Sequence, residues 1–168
     1  FDDPENLAKN RTHGLSIKMC HLRPKSRGEL KLRSKNPQDP TIIHGNLLDH
    51  PDDLKGLIHA TQFGMDLLAQ PGLQAVVDEV FAPDETVDRN DLDKLEHFVR
   101  QTCKTTYHPV GTCRMGTDIQ DSVVDTSLRV HGIEGLRVID CSIFPALPSA
   151  NTNGPTVTVA EKASDLLI

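Results

Sequence analysis

From Tyr107 to the C-terminus the hydrophobic periodicity of regular helices and strands fades, and Gly, Pro, Thr and Asn become frequent. Two stretches are extreme: Tyr107 to Gly116 (YHPVGTCRMG) and Asp140 to Thr156 (DCSIFPALPSANTNGPT). Segments so poor in core-building side chains persist where backbone or polar groups must approach a ligand closely. Within this region the pattern predicts one short strand, Leu136 to Asp140, and one final helix from about Gly154 to Leu167. Asn and Gly precede that helix, and Pro155 stands in its first turn.

The upstream part is more regular. Residues 15–22 (LSIKMCHL) predict a strand, Arg23-Pro24 to Gly28 a turn, and Glu29 to Ser34 (ELKLRS) a period-two strand. Together they predict an antiparallel hairpin. Asn36-Pro37 and Asp39-Pro40 mark a loop. A helix then starts at Pro51, with Asp52 and Asp53 in its first turn. Leu54, Leu57, Ile58, Thr61, Met65 and Leu68 share one face, and Pro71-Gly72 ends the helix. A short helix is expected from Leu73 to about Phe81, and a third through Leu92, Leu95, Val99 and Thr102, capped by Asp88 or Asn90. The expected class is α+β, an antiparallel sheet with helices on one face.

Composition narrows the function. The chain has 168 residues, 37% hydrophobic and 25% charged, which suits a soluble globular protein. Its net charge of -6, with one Tyr and no Trp, argues against nucleic-acid binding. Arg23, Lys25, Arg27, Lys31, Arg33 and Lys35 read as the solvent faces of two strands. No run of about 18 apolar residues exists to span a membrane, and no signal peptide is recognisable, so a cytoplasmic location is expected. The start at Phe1 suggests a cut from a longer polypeptide. Cys20, Cys103, Cys113 and Cys141 form no CxxC pair, which predicts reduced cysteines and no metal site.

His108 is followed by Pro109, which pushes its backbone toward extended conformations and can aim the ring into a cavity. Asn151 to Thr156 launch the last helix, whose first-turn N–H groups and positive dipole end favour an anion or an electron-rich ring edge. A plain Asn N-cap is the other reading. Cys113 beside His108 lacks the third group of a thiol nucleophile, and Cys103, His108 and Cys113 match no common zinc spacing. His131 reads as a turn residue.

The run YHPVGTCRMG, followed by VVDTSLRVHGIEGLRVIDCSIFPALPSANTNGPTVTVAEKASDL, closely resembles the C-terminal signature of the glucose–methanol–choline oxidoreductase family, in a choline dehydrogenase-like form. RPKSRGELKLRSKNPQDPTI is similar to that family's substrate-domain strands. The resemblance implies FAD as cofactor, a small-molecule alcohol as substrate, His108 as catalytic base and Asn153 as the second active-site residue. It also implies flavin contacts at Asp140, Cys141, Asn151, Thr152, Gly154, Pro155 and Thr156. Residues 1–106 would form the substrate-binding region. Residues 107–168 would form the active-site segment and the closing strand and helix of the FAD-binding domain. His108 and Asn153 should lie side by side, with Thr156 or an Asn side chain capping the helix. The family's Gly-rich dinucleotide fingerprint is not present in these 168 residues. An N-terminal FAD-binding region of the parent chain is therefore the expected partner, and the isolated chain is expected to bind FAD weakly.

The implied chemistry is demanding. A free histidine titrates near 6.5, against roughly 16 for a water-like hydroxyl. The gap of about nine units amounts to about 12 to 13 kcal/mol if a free alkoxide forms. Deprotonation must be coupled to hydride departure, or a donor such as Asn153 must hold the developing alkoxide. A module inactive in isolation and a flavin-containing lyase of the same fold are the alternative readings.

Overall fold

The structure is a computed structural model and describes residues 14–167, so the first thirteen residues of the expected 1–106 region and Ile168 lie outside the described part. Helix α1 (Pro51–Leu68) forms where the apolar spacing places it. Pro51 occupies the first turn, where a missing N–H has no consequence, and His50 caps it, its Nδ1 accepting from the Asp52 N–H at 3.2 Å. Helix α2 (Pro71–Gln74) is a single turn that begins at Pro71 and does not continue to Phe81. Val76 and Phe81 beyond it are exposed, and short helices form in proteins mainly where an apolar face is packed. Helix α3 (Leu92–Thr102) packs on α1 and buries Leu95 and Val99. Its cap is Asp91, which accepts from the Lys94 N–H at 3.1 Å. Asp88 instead accepts from the Asn90 N–H, in the turn just ahead.

The predicted hairpin pairs differently. Strand β1 (Glu29–Lys31) pairs antiparallel with β2 (Ile42–His44), Glu29 opposite His44 and Lys31 opposite Ile42. The two Pro-containing loop signals therefore lie within the hairpin connection. There Asp39 donates its N–H to the Asn36 carbonyl at 3.1 Å and accepts from the Ser34 hydroxyl at 2.6 Å. Residues 15–22 form no strand. Their side chains are spent on α1 instead: a methyl group at Gly64 would stand 3.2 Å from Met19 Sδ, and one at Gly56 would stand 3.4 Å from the His21 ring. The class is α+β, as the sequence predicts, with the strand pair largely exposed and four α-helices among the described residues.

Asp53 joins these parts. Its carboxylate is 2% exposed. It accepts from the Lys25 N–H at 2.8 Å, the Ser26 N–H at 2.7 Å, the Ser26 hydroxyl at 2.5 Å and the His21 ring at 3.1 Å. Burial pushes its pKa up, but the donors from Lys25, Ser26 and His21 together outweigh burial and hold it well below the usual carboxylate range. The Ser26 hydroxyl also accepts from the His50 N–H at 3.0 Å, tying the 23–28 turn to the start of α1.

The second half has its own core of Val124, Leu128, Ile143, Phe144 and Ala163. Its backbone pairing is limited to single bridges, Met115 with Val124, Val124 with Val130 and Arg129 with Arg137. The predicted strand at Leu136 to Asp140 is reduced to that last bridge and two backbone bonds, the Val130 N–H on the Leu136 carbonyl at 3.0 Å and the Val138 N–H on the Leu128 carbonyl at 3.1 Å. Leu128, Gly132 and Gly135 all have positive φ, so the chain turns before a ladder can lengthen. Helix α4 (Asn153–Ser164) closes the chain and plants Ala163 in this core. No described helix is long and apolar enough to cross a membrane.

Candidate active site

The two unusual segments are interlocked through their backbones. The Cys113 N–H donates to the Ser142 carbonyl at 2.9 Å and the Met115 N–H to the Ile143 carbonyl at 2.8 Å. Residues 109–115 thus run beside a 3-10 turn, Cys141–Ile143. The Cys141 thiol donates to the Pro109 carbonyl at 3.5 Å. Gly111 sits at φ +87, and a Cβ there would lie 3.3 Å from the Phe144 carbonyl oxygen. Only glycine meets both demands at low cost. Asp140 caps the 3-10 turn, accepting from the Ser142 N–H at 2.7 Å. Its carboxylate is committed to the backbone at that point.

His108 emerges from this clasp. Tyr107 before it has φ +62, a left-handed conformation that is rare for an aromatic residue. The Thr105 hydroxyl accepts from the Tyr107 N–H at 3.0 Å and holds that turn. Pro109 restrains the other side. The ring reaches the start of α4, where Nδ1 lies 3.0 Å from Thr152 Oγ1, 44 positions away in sequence. Thr152 is 7% exposed. The predicted convergence of the His108 segment with the Asn151–Thr156 turn is therefore present, and the residue that meets the ring is Thr152. Asn153, the next residue, is exposed at the first position of the helix.

The predicted capping is absent. No side chain caps α4. Thr156 instead donates both its N–H and its hydroxyl to the Thr152 carbonyl, at 2.9 and 2.7 Å, so its hydroxyl is committed to a carbonyl and accepts from none of the first-turn N–H groups. The Asn153 and Gly154 N–H groups are left without a hydrogen-bond partner among the described residues. Asn151, Asn153 and Gly154 are exposed, Pro155 and Thr156 half-buried, and a Cβ on Gly154 would meet nothing within 4 Å. An open helix N-terminus with free donors, a glycine and an imidazole beside it is a fitting place for the electron-rich edge of a flat heterocycle. These residues fit a flavin.

Sequence reasoning missed three contributors. Thr152 appears there only as a flavin contact, not as the partner of His108. Tyr107 carries no signal of its own, since nothing in its identity predicts positive φ. An open groove of about 450 Å³ between Phe144, Pro148, Pro155 and Val159 also escaped notice. The concentration of Pro and apolar residues in FPALP was the available clue.

Known proteins share this sequence and fold. Residues 24–160 match the family model described as GMC oxidoreductase. An alcohol dehydrogenase [acceptor] of Pseudomonas putida is 38% identical over 156 residues, 93% of this chain and 28% of that protein. An oxygen-dependent choline dehydrogenase of Brucella ovis is 36% identical over 165 residues, 98% of this chain and 30% of that protein. Among solved structures, an Aspergillus oryzae formate oxidase studied for FAD modification superposes with a TM-score of 0.81 at 31% identity, covering 87% of this chain and 25% of the other. A pyridoxine 4-oxidase from Mesorbium loti superposes with a TM-score of 0.79 at 27% identity, covering 86% and 28%. The chain thus spans less than a third of the length of these relatives. The match extends through both the exposed hairpin and the clasped segments, and the chain belongs to the GMC oxidoreductase family.

Proposed function

We propose that this chain supplies the catalytic base and part of the substrate pocket of an FAD-dependent oxidoreductase that converts a primary or secondary alcohol to an aldehyde or ketone. The observation that carries this reading is the His108 ring held against the uncapped start of α4, 3.0 Å from Thr152. FAD, when bound, supplies the acceptor for the hydride of the alcohol carbon. Asn151, Thr152, Gly154, Pro155 and Thr156 would line the flavin ring, the free N–H groups of Asn153 and Gly154 facing its electron-rich edge, with Asp140 and Cys141 nearby. The dinucleotide end of FAD would be held by an N-terminal region of the parent chain, and residues 1–106 would carry most of the substrate contacts found in this chain.

His108 takes the hydroxyl proton. Its Nδ1 is occupied by Thr152, so the proton arrives at Nε2. The Asn153 amide stays neutral across the working pH range and donates to the alcohol oxygen as charge develops there. Asn153→Ala is expected to slow flavin reduction roughly three- to ten-fold, the equivalent of one neutral hydrogen bond, while leaving the base in place. Stopped-flow absorbance of the flavin band measures this.

The decisive experiment is anaerobic mixing of the complete flavoprotein with a panel of primary and secondary alcohols. Bleaching of the oxidised flavin with stoichiometric carbonyl product is the expected result. Cleavage of a substrate with no net flavin reduction would assign a lyase instead.

A further inference from the structure

Thr152 is placed to do more than border a flavin. Its backbone is held twice by Thr156, and as a β-branched residue it has little χ1 freedom. A Thr at a helix start ordinarily accepts from an N–H of the first turn. Here it forgoes that bond, and the buried Thr152 directs its hydroxyl to the half-buried His108 ring. The ring's Nδ1 is therefore engaged, and Nε2 makes no hydrogen bond among the described residues.

We propose that Thr152 is a positioning residue for His108: its hydroxyl oxygen accepts from Nδ1–H, which leaves the lone pair on Nε2 as the atom that receives the substrate's proton. This rests on the reading of His108 as the base. A neutral imidazole carries its hydrogen on one nitrogen, and the bond made by that nitrogen selects the tautomer. The base-ready ring (hydrogen on Nδ1) and the charged ring (hydrogens on both nitrogens) each present an N–H to Thr152. The same bond therefore persists through proton transfer, and the O–H proton of the alcohol moves to Nε2 without reorganising the support behind the ring. The reverse arrangement, with the hydroxyl donating to Nδ1, would place the hydrogen on Nε2 and block the transfer.

The test has two arms. In this chain labelled with 15N-histidine, the His108 resonances are assigned by their loss in His108→Gln and read at a pH where the ring is neutral. Wild type is expected to show the hydrogen on Nδ1. Thr152→Val, which keeps the shape but removes the hydroxyl, is expected to shift the population toward the Nε2–H form, and Thr152→Ser to restore it. Thr152→Ala serves the same purpose if Val disturbs packing. In the complete flavoprotein, Thr152→Val is expected to slow flavin reduction roughly five- to ten-fold with KM little changed, again with rescue by Ser. A tautomer indifferent to Thr152, or a wild-type ring with its hydrogen on Nε2, overturns the proposal. A tautomer that follows Thr152 while His108→Ala reduces flavin at the normal rate would leave the coupling intact and remove the base assignment instead.

Discussion

His108→Ala in the complete protein is expected to lower the rate of flavin reduction by about 10² to 10⁴-fold, with a much smaller change in substrate binding. That range corresponds to roughly 3 to 5.5 kcal/mol of transition-state stabilisation at about 1.36 kcal/mol per decade. The asymmetry follows from what a base does: it takes up the proton only as the reaction proceeds, whereas ground-state affinity comes from the rest of the pocket. Part of the loss should return at high pH, where hydroxide or a more ionised alcohol substitutes for the ring. The substitution also strips the buried Thr152 hydroxyl of its partner, at a stability cost of about 1 kcal/mol, too small to explain the kinetic loss. Rapid mixing across a pH series is the measurement. A wild-type rate in the alanine variant would show that another group removes the proton.

Asp53→Ala should produce the largest effect on stability. It removes one buried carboxylate that four donors share, from His21, Lys25 and Ser26. The Lys25 and Ser26 N–H groups and the Ser26 hydroxyl lose their acceptor, and the 23–28 turn loses its tie to α1. The expected loss is about 2 to 4 kcal/mol at neutral pH, near the top of the ordinary range for a point mutation. Asp53→Asn does not rescue it, because an amide NH₂ would face donors. The pH dependence has a definite sign. The folded carboxyl is held below its unfolded value of about 3.9, so the stability it contributes is present above that value. It is lost as pH falls through the folded value. Urea unfolding of wild type and variant should therefore differ most at neutral pH and converge in acid. A difference independent of pH would mean that packing, not the ionised carboxylate, holds the turn.

The sequence marked α1 because Pro51 and one apolar stripe act locally, within single helical turns. It misplaced the partner of β1 because residues 15–22 are apolar for a different reason: they cover α1 near Gly56 and Gly64, a contact made across more than thirty positions. Asp53 looked like an ordinary first-turn acid because its four donors lie upstream, in a turn whose docking no local pattern encodes. At the site, the roles that the family resemblance implies for His108 and Asn153 indicated that His108 and the Asn151–Thr156 turn converge. It did not indicate which residue of that turn meets the ring. Neighbouring residues at a helix start point about 100° apart, so Thr152 is buried against the ring while Asn153, adjacent in the motif, stays exposed beside it.

The clasp between residues 109–115 and 141–143 is tied mainly by peptide groups: Cys113 N–H to Ser142, Met115 N–H to Ile143. A frame of that kind is blind to most side-chain identities. Cys113 can drift without displacing the imidazole that the frame presents, whereas Met115, packed against the core, and Gly111, caught between its own positive φ and the Phe144 carbonyl, cannot. Reaction geometry and pocket lining are thereby inherited on separate tracks. A lineage built on this fold can exchange the side chains around the ring many times over and still hold the same ring nitrogen in the same place.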